Sequence, residues 1–296
     1  MRIVVSGASG LIGTALVARL RTAGHDVLTL VRRPSRSPAE IRWDPAEGLL
    51  DQASLAGVEA AINLSGAGIG DRRWTESYRR LVVDSRTSST RLLAASLAKL
   101  DPLPAVLLSG SAIGYYGDSG DQTITEATAS GPGFLADLCQ RWEAATSAAQ
   151  DAGIRVCHLR SGLVLARGGG LLGKLLPLYR LGLGGPLGSG RQWQSWITLE
   201  DEVRAIEFLL TARASGPVNL TAPQPVRQRD LARAIGRAVH RPAVLPAPSI
   251  ALRLAVGGFA DEGILASQRA LPTVLTEAGY EFGASDIDRG LAVALR

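Results

Sequence analysis

The chain has 296 residues, 46% hydrophobic and 20% charged, with a formal net charge of +5 at pH 7. That length supports a substantial core in one or two domains, and no apolar run is long and clean enough to span a membrane. Two cysteines, Cys139 and Cys157, are too few for a disulfide framework, so a reducing, cytoplasmic setting is expected.

Residues 1–5 (MRIVV) form an apolar run with strand character, so a first strand is expected here and not a signal peptide. The run breaks at Ser6 and passes through Gly7-Ala8-Ser9-Gly10-Leu11-Ile12-Gly13 into a helical pattern over 14–22. Strand, glycine turn and helix are the context a dinucleotide-binding turn needs. Gly7 permits the tight turn, Gly10 lets backbone approach a pyrophosphate, and Gly13 lets the helix pack on the strand. The N–H groups and dipole of the helix start, around Ser9, Leu11 and Ile12, then face the phosphates. The spacing is G-x-x-G-x-x-G, not G-x-G-x-x-G. A second strand over 26–31 ends at Arg32-Arg33-Pro34. NAD enzymes place Asp or Glu there for the ribose hydroxyls. A guanidinium fork instead matches the 2′-phosphate of NADP.

Apolar strands are predicted over 60–65, 105–111 and 155–159, alternating with helices over 74–100 and 136–152. Continuous apolar strands between helices mean a parallel sheet covered on both faces. At least six βα units predict an α/β, Rossmann-type doubly wound sheet. Past Ser161 the texture changes to glycine-dense segments at 168–170 and 181–190, which imply close backbone approach beside a ligand. Helices are predicted over 229–240, 249–254 and 272–278. The expected division is a dinucleotide-binding domain over 1–165 and a smaller, mostly substrate-binding domain over 166–296. A strand near 217–221 is expected to return to the sheet.

These features resemble the extended short-chain dehydrogenase/reductase superfamily, and more narrowly its atypical "epimerase family protein" group. The likeness is carried by the glycine turn, Asn63-Leu64-Ser65-Gly66, the run from Ser109 through Tyr115-Tyr116-Gly117, and Arg160-Ser161-Gly162. It continues in Gly184 through Trp193, Trp196-Ile197, Ala222 through Val226, Leu271-Pro272 and Ala278 through Phe282. The resemblance implies an NADP-binding Rossmann domain and a small C-terminal substrate domain. It also implies cofactor contacts at Arg32, in the Leu64-Ser65-Gly66 turn, and at Arg86. Thr198 stands where many members of that group carry His.

Dehydrogenases of the superfamily use a Tyr-x-x-x-Lys pair for proton transfer beside the nicotinamide. The pair is absent: the only lysines are Lys99 and Lys174, and neither follows a tyrosine by four. Counting back from Arg160 puts its usual place near Phe134 and Leu138, both apolar. The candidate acids are therefore Tyr116 first and Tyr115 second, at the carboxyl end of a strand, with Ser111 beside them to hydrogen-bond a carbonyl. Glu143 reads as an exposed helical carboxylate, with an acid role as the alternative. Gln192, Trp193 and Trp196 line a substrate pocket or pack in the core. Lys174 snorkels from a leucine-rich helix. His25, His158 and His240 lack metal-ligand spacing, so no metal is expected. Thirty arginines without a basic tail or aromatic stripe argue against a nucleic-acid partner. A small-molecule substrate is expected, with the chain a monomer or homodimer. Three readings stay open: an NADP-dependent oxidoreductase with another acid, an NADP-binding sensor or interaction protein, and a nucleotide-sugar epimerase.

Overall fold

The computed structural model describes all 296 residues. Strand β1 (Arg2–Ser6) is apolar throughout because both its faces are covered: Ile3 and Val5 enter one core cluster, Val4 the other. It lies in an eight-stranded sheet with β2 (Asp26–Val31), β3 (Glu40–Asp44), β4 (Leu49–Leu50), β5 (Ala60–Asn63) and β6 (Val106–Ala112). Two later strands, β8 (Arg155–Ser161) and β12 (Gly216–Leu220), complete it after the short β7 (Thr123–Ile124). The order is β12-β8-β6-β5-β1-β2-β3-β4, and only β4 runs antiparallel to its neighbour. Helices α1 (Leu11–Thr22) and α6 (Leu199–Leu209) cover one face; α2 (Glu76–Leu97) and α4 (Ser147–Asp151) cover the other. The strand order reverses between β1 and β5, so a crevice opens at their carboxyl ends, where such folds bind ligands.

A third cluster unites α5 (Gly170–Arg180), α7 (Gln228–Ala238) and α10 (Ile287–Ala294) around Trp196, Tyr179 and Leu176. Four short strands shape this side: β9 (Leu163–Leu165) beside β11 (Trp196–Thr198), and β10 (Trp193–Gln194) beside β13 (Val226–Arg227). Strand β14 (Arg269–Ala270) runs parallel to β7 and ties the tail to the loop after β6. No helix is long and apolar enough to cross a membrane.

Some element ends differ from the sequence reading. Helix α1 starts at Leu11, three residues early, because Gly10 is its N-cap. The helix expected over 136–152 is two, α3 (Phe134–Ala144) and α4, broken where the Thr146 hydroxyl donates to the Glu143 carbonyl at 2.7 Å. Helix α7 ends at Ala238, short of 240, where His240 takes a φ of 54°.

Candidate active site at the carboxyl ends of the sheet

The glycine turn is a cradle that side chains would fill. Gly7 has a φ of 71°, and a Cβ there would lie 2.5 Å from the Leu64 carbonyl carbon. A Cβ on Gly13 would overlap the Gly7 carbonyl oxygen. Ser9 and Gly10 are exposed, Leu11 and Ile12 half-buried. No side chain caps α1, so its first N–H groups and positive dipole end face the crevice unpartnered. These residues fit the pyrophosphate of a dinucleotide.

The two arginines after β2 are not equivalent. Arg33 donates two hydrogen bonds to Glu40, at 2.8 and 2.6 Å. That pair, with the Arg36 N–H, holds the Glu40 carboxyl down at about 2. Arg32 is exposed and has no hydrogen bond or ion pair. The expected fork is therefore one free guanidinium and one committed to strand β3. Arg86, from α2, lies against the Leu64-Ser65-Gly66 turn: a Cβ on Gly66 would sit 2.9 Å from its Cζ. It donates to the Ala67 and Val82 carbonyls and stacks over Trp142 at 4.9 Å. Its Nε has no partner and no carboxylate faces it, and burial pushes its pKa down. An anion beside the turn would offset this charge. A polar chain ties cradle to helix: the Ser6 hydroxyl donates to Asn63, and Asn63 and Trp142 both donate to the Thr90 hydroxyl.

The tyrosine turn reverses the expected ranking. Tyr116 is 3% exposed. Its hydroxyl donates to Asn219 Oδ1 at 2.8 Å and accepts from Arg160 at 2.9 Å, and burial pushes its pKa up to about 12. A phenol so placed is structural and does not reach an open site. Tyr115 is half-buried, its hydroxyl has no hydrogen-bond partner, and the Arg160 guanidinium lies 3.5 Å from its ring centroid. Arg160 comes from a buried strand and is 3% exposed. Two hydrogen bonds to Glu143, at 2.8 and 2.9 Å, fix it. Burial alone would lower its pKa; the Glu143 hydrogen bonds and charge outweigh that and raise it. Glu143 is thus a half-buried hub, its side chain 12% exposed, and not an exposed helical carboxylate. The Ser111 hydroxyl donates to it at 2.7 Å, so that proton is not free for a substrate carbonyl. His158 stands 3.8 Å from Glu143 and bonds the Thr146 hydroxyl; burial pushes its pKa down.

Helix α3 turns Leu135 and Cys139, not Phe134 and Leu138, toward the end of β6. Leu135 packs by Gly114, and the Cys139 thiol donates to the Ala112 carbonyl. Phe134 instead stacks edge-on to Trp74 at 5.0 Å. In either register the helix offers no Tyr-Lys pair.

Trp196 lines no open pocket. It is wholly buried, packs on Gly290, and donates to the Gln224 carbonyl at 3.0 Å. Gln192 is also buried and donates to the Leu187 carbonyl at 3.0 Å. Trp193 is half-buried, with the guanidinium groups of Arg227 and Arg269 at 4.1 and 4.6 Å from its ring. Lys174 is exposed and donates to the Gly70 carbonyl. Arg160, Asn219 and Thr90 hold the side chains of this region in place, and nothing in their local sequence context marks Asn219 or Thr90. One signal was available, since a charged residue inside an apolar strand needs a partner.

Residues 3–221 match the family described as "NAD dependent epimerase/dehydratase family", and residues 247–293 match a domain of unknown function, DUF1731. Epimerase family protein Mb2239 of Mycobacterium bovis is 47% identical over 293 residues, covering 99% of this chain and 97% of the relative. The crystal structure of human epimerase family protein SDR39U1 (isoform 2) with NADPH superposes with a TM-score of 0.91 at 34% identity, covering 100% of this chain and 99% of that one. A nucleoside-diphosphate sugar epimerase from Corynebacterium glutamicum superposes with a TM-score of 0.82 at 34% identity, covering all of this chain and 58% of that one. The glycine cradle, the doubly wound sheet and these likenesses agree: this chain belongs to the NAD dependent epimerase/dehydratase family, in its atypical extended short-chain dehydrogenase/reductase branch of epimerase family proteins.

Proposed function

We propose that this chain is an NADP(H)-dependent oxidoreductase acting on a small carbonyl or sugar-like substrate, with Tyr115 as its proton-transfer group. One observation carries the reading: Tyr115 places an unpartnered phenol at the carboxyl end of β6, beneath a guanidinium that Glu143 holds rigid. A nicotinamide held at this crevice would supply or accept the hydride. The Tyr115 hydroxyl gives a proton to, or takes one from, the substrate oxygen, and Arg160 fixes its ring by a cation–π contact. Ser111, its proton committed to Glu143, offers lone pairs that orient a substrate hydroxyl. The turn from Gly7 to Gly13 would hold the pyrophosphate, and Arg32 the 2′-phosphate. Leu64, Ser65, Gly66 and Arg86 would support the cofactor from the β5 side; NADPH in the human relative's structure supports the choice of cofactor. Residues 166–296 supply most of the substrate side.

The apolar α3 face at Leu135 and Cys139 favours a second reading, an NADP sensor without turnover. NADPH oxidation by the purified protein against ketones, imines and enones decides between them. At least one carbonyl class should support oxidation, and Tyr115→Phe should slow it roughly 10²–10⁴-fold with NADP affinity unchanged. Tight NADP binding with no oxidation of any class would establish the sensor. Full turnover in Tyr115→Phe would remove Tyr115 from the chemistry.

A further inference from the structure

We propose that the end of α5, the segment over 241–248 and the helix after it dock on an anionic lipid surface. Residues 171–190 and 231–260 contain no Asp or Glu, while Lys174, Arg180, Arg233, Arg237, Arg241 and Arg253 fall within them. The same stretches hold seven of the eleven large apolar side chains that the fold leaves exposed. Leu178, Leu181 and Leu183 come from the end of α5, Val244 and Leu245 from the segment beside it. The Leu245 N–H donates to the Gly184 carbonyl at 3.1 Å and the Ala247 N–H to the Pro186 carbonyl at 2.8 Å, so the two stretches run side by side. Helix α8 (Ser249–Val256) follows directly and adds Ile250 and Leu254, one turn apart on one face. None of its eight residues is buried. So short a helix is marginal in water without packing, and this one has an apolar face with no cover.

Single exposed apolar side chains are ordinary on a protein surface; a cluster rimmed by polar groups marks an interaction surface. These side chains protrude: Leu181 is 73% exposed, Val244 71%, Ile250 67% and Leu254 70%. Charge selects the occupant. Arg233 pairs with Asp230, Arg237 with Asp288 and Arg253 with Asp261, and Lys174 lies 3.9 Å from Asp71. Arg180 and Arg241 have no carboxylate partner, and they adjoin, since Arg241 Nε donates to the Arg180 carbonyl at 3.3 Å. Arg241 also lines one shallow hollow with Arg237, His240 and Val244, which brings the basic groups up to the apolar ones. A second copy seated across a twofold axis would set this surface against itself, and its unmatched charges are all positive. A bilayer with anionic headgroups supplies both complements together: an apolar layer for the protruding side chains and phosphates for the guanidinium groups. No helix is long and apolar enough to span that bilayer, so the contact is peripheral.

Vesicle flotation of the full chain tests this, with equimolar phosphatidylglycerol and phosphatidylcholine against phosphatidylcholine alone. At about 0.15 M salt the chain should float with the anionic vesicles about tenfold better than with the neutral ones. Ile250→Ser with Leu254→Ser should weaken the binding by about tenfold or more, and Arg180→Gln with Arg241→Gln by about fivefold or more. All four side chains are exposed, so the melting temperature and NADP affinity should stay at the wild-type values. A label reads the orientation independently. Leu254→Cys carrying a polarity-sensitive dye should shift its emission to the blue on anionic vesicles, and the same dye at Leu49→Cys, on the edge strand β4, should not. Cys139 and Cys157 are buried and escape the dye. No flotation with anionic vesicles, or a blue shift at both labelled positions, would overturn the proposal. Undiminished flotation of the Ile250/Leu254 variant would also overturn it, as unspecific attraction of a basic chain. A dimer in light scattering that this variant dissolves, with no flotation, would assign the surface to a second copy instead.

Discussion

Replacing Arg32 by alanine should separate NADP from NAD. Arg32 and Arg33 are adjacent and chemically identical, but only Arg32 is uncommitted. Arg33 has two of its N–H groups on Glu40, at 2.8 and 2.6 Å. A charge-assisted contact to a phosphate contributes about 1.5–3 kcal/mol. Arg32 is exposed, so solvent and salt screening pull its share toward the lower end of that range. At 1.4 kcal/mol per decade, Arg32→Ala should raise the NADP dissociation constant about ten- to thirtyfold. NAD lacks the 2′-phosphate, so its affinity should change by less than about twofold on the same scale. Arg33→Ala should move NADP affinity by less than about threefold, because that guanidinium already has its partner. Calorimetric titration of both cofactors into wild type and the two variants, at 0.05 and about 0.15 M salt, measures all of this. The Arg32 effect should shrink at the higher salt. An unchanged NADP-to-NAD ratio in Arg32→Ala, or an equal shift in Arg33→Ala, would show that Arg32 does not contact the 2′-phosphate.

Ionisable groups shielded from solvent control stability in three testable ways. Glu202 is wholly buried, accepts one hydrogen bond from Ser161, and has Oε2 unpartnered; burial pushes its carboxyl up to about 8. The folded group stays protonated where the unfolded one ionises, so stability falls as pH rises from 4.5 toward 8. Glu202→Gln should therefore add about 3 kcal/mol at pH 7 and nothing at pH 4, as read by urea melts; an equal gain at both pH values counts against it. Glu143→Ala leaves Arg160, with a side chain 4% exposed, without its carboxylate. It should cost about 3–5 kcal/mol and lower the melting temperature by roughly 6–20 °C; a change under about 2 °C on that scale would show the pair to be dispensable. His158 is held below its ordinary 6.5 by burial, so the unfolded chain takes a proton that the folded one does not. Its contribution is kept above pH 6.5 and lost as the pH falls below it, and His158→Gln should flatten that limb of the stability curve. A profile unchanged by the substitution would assign the limb to other groups.

Short-range chemistry makes some parts of this protein legible in its residues alone. The glycine turn is legible because Gly7 at φ 71° and Gly13 against the Gly7 carbonyl are requirements of seven adjacent residues. The α/β class is legible because a parallel strand covered on both faces must be a continuous apolar run, as Ile3, Val4 and Val5 are. Family motifs carried the cofactor and the C-terminal region further. Which of several equivalent side chains is free to act depends on long-range packing. Arg33 loses its freedom to Glu40 on the neighbouring strand, and Arg32 does not. Tyr116 is buried by Asn219, 103 residues away, while Tyr115 one step along keeps its hydroxyl. Glu143 looks like any helical carboxylate until Arg160, Ser111 and His158 converge on it from two strands. Trp196 goes to the core and Trp193 to the arginines because β11 packs under α10 and β10 pairs with β13. A side chain's local chemistry is written in its own residue; its availability depends on charges and donors that the fold brings from far along the chain, and those pairings are long-range.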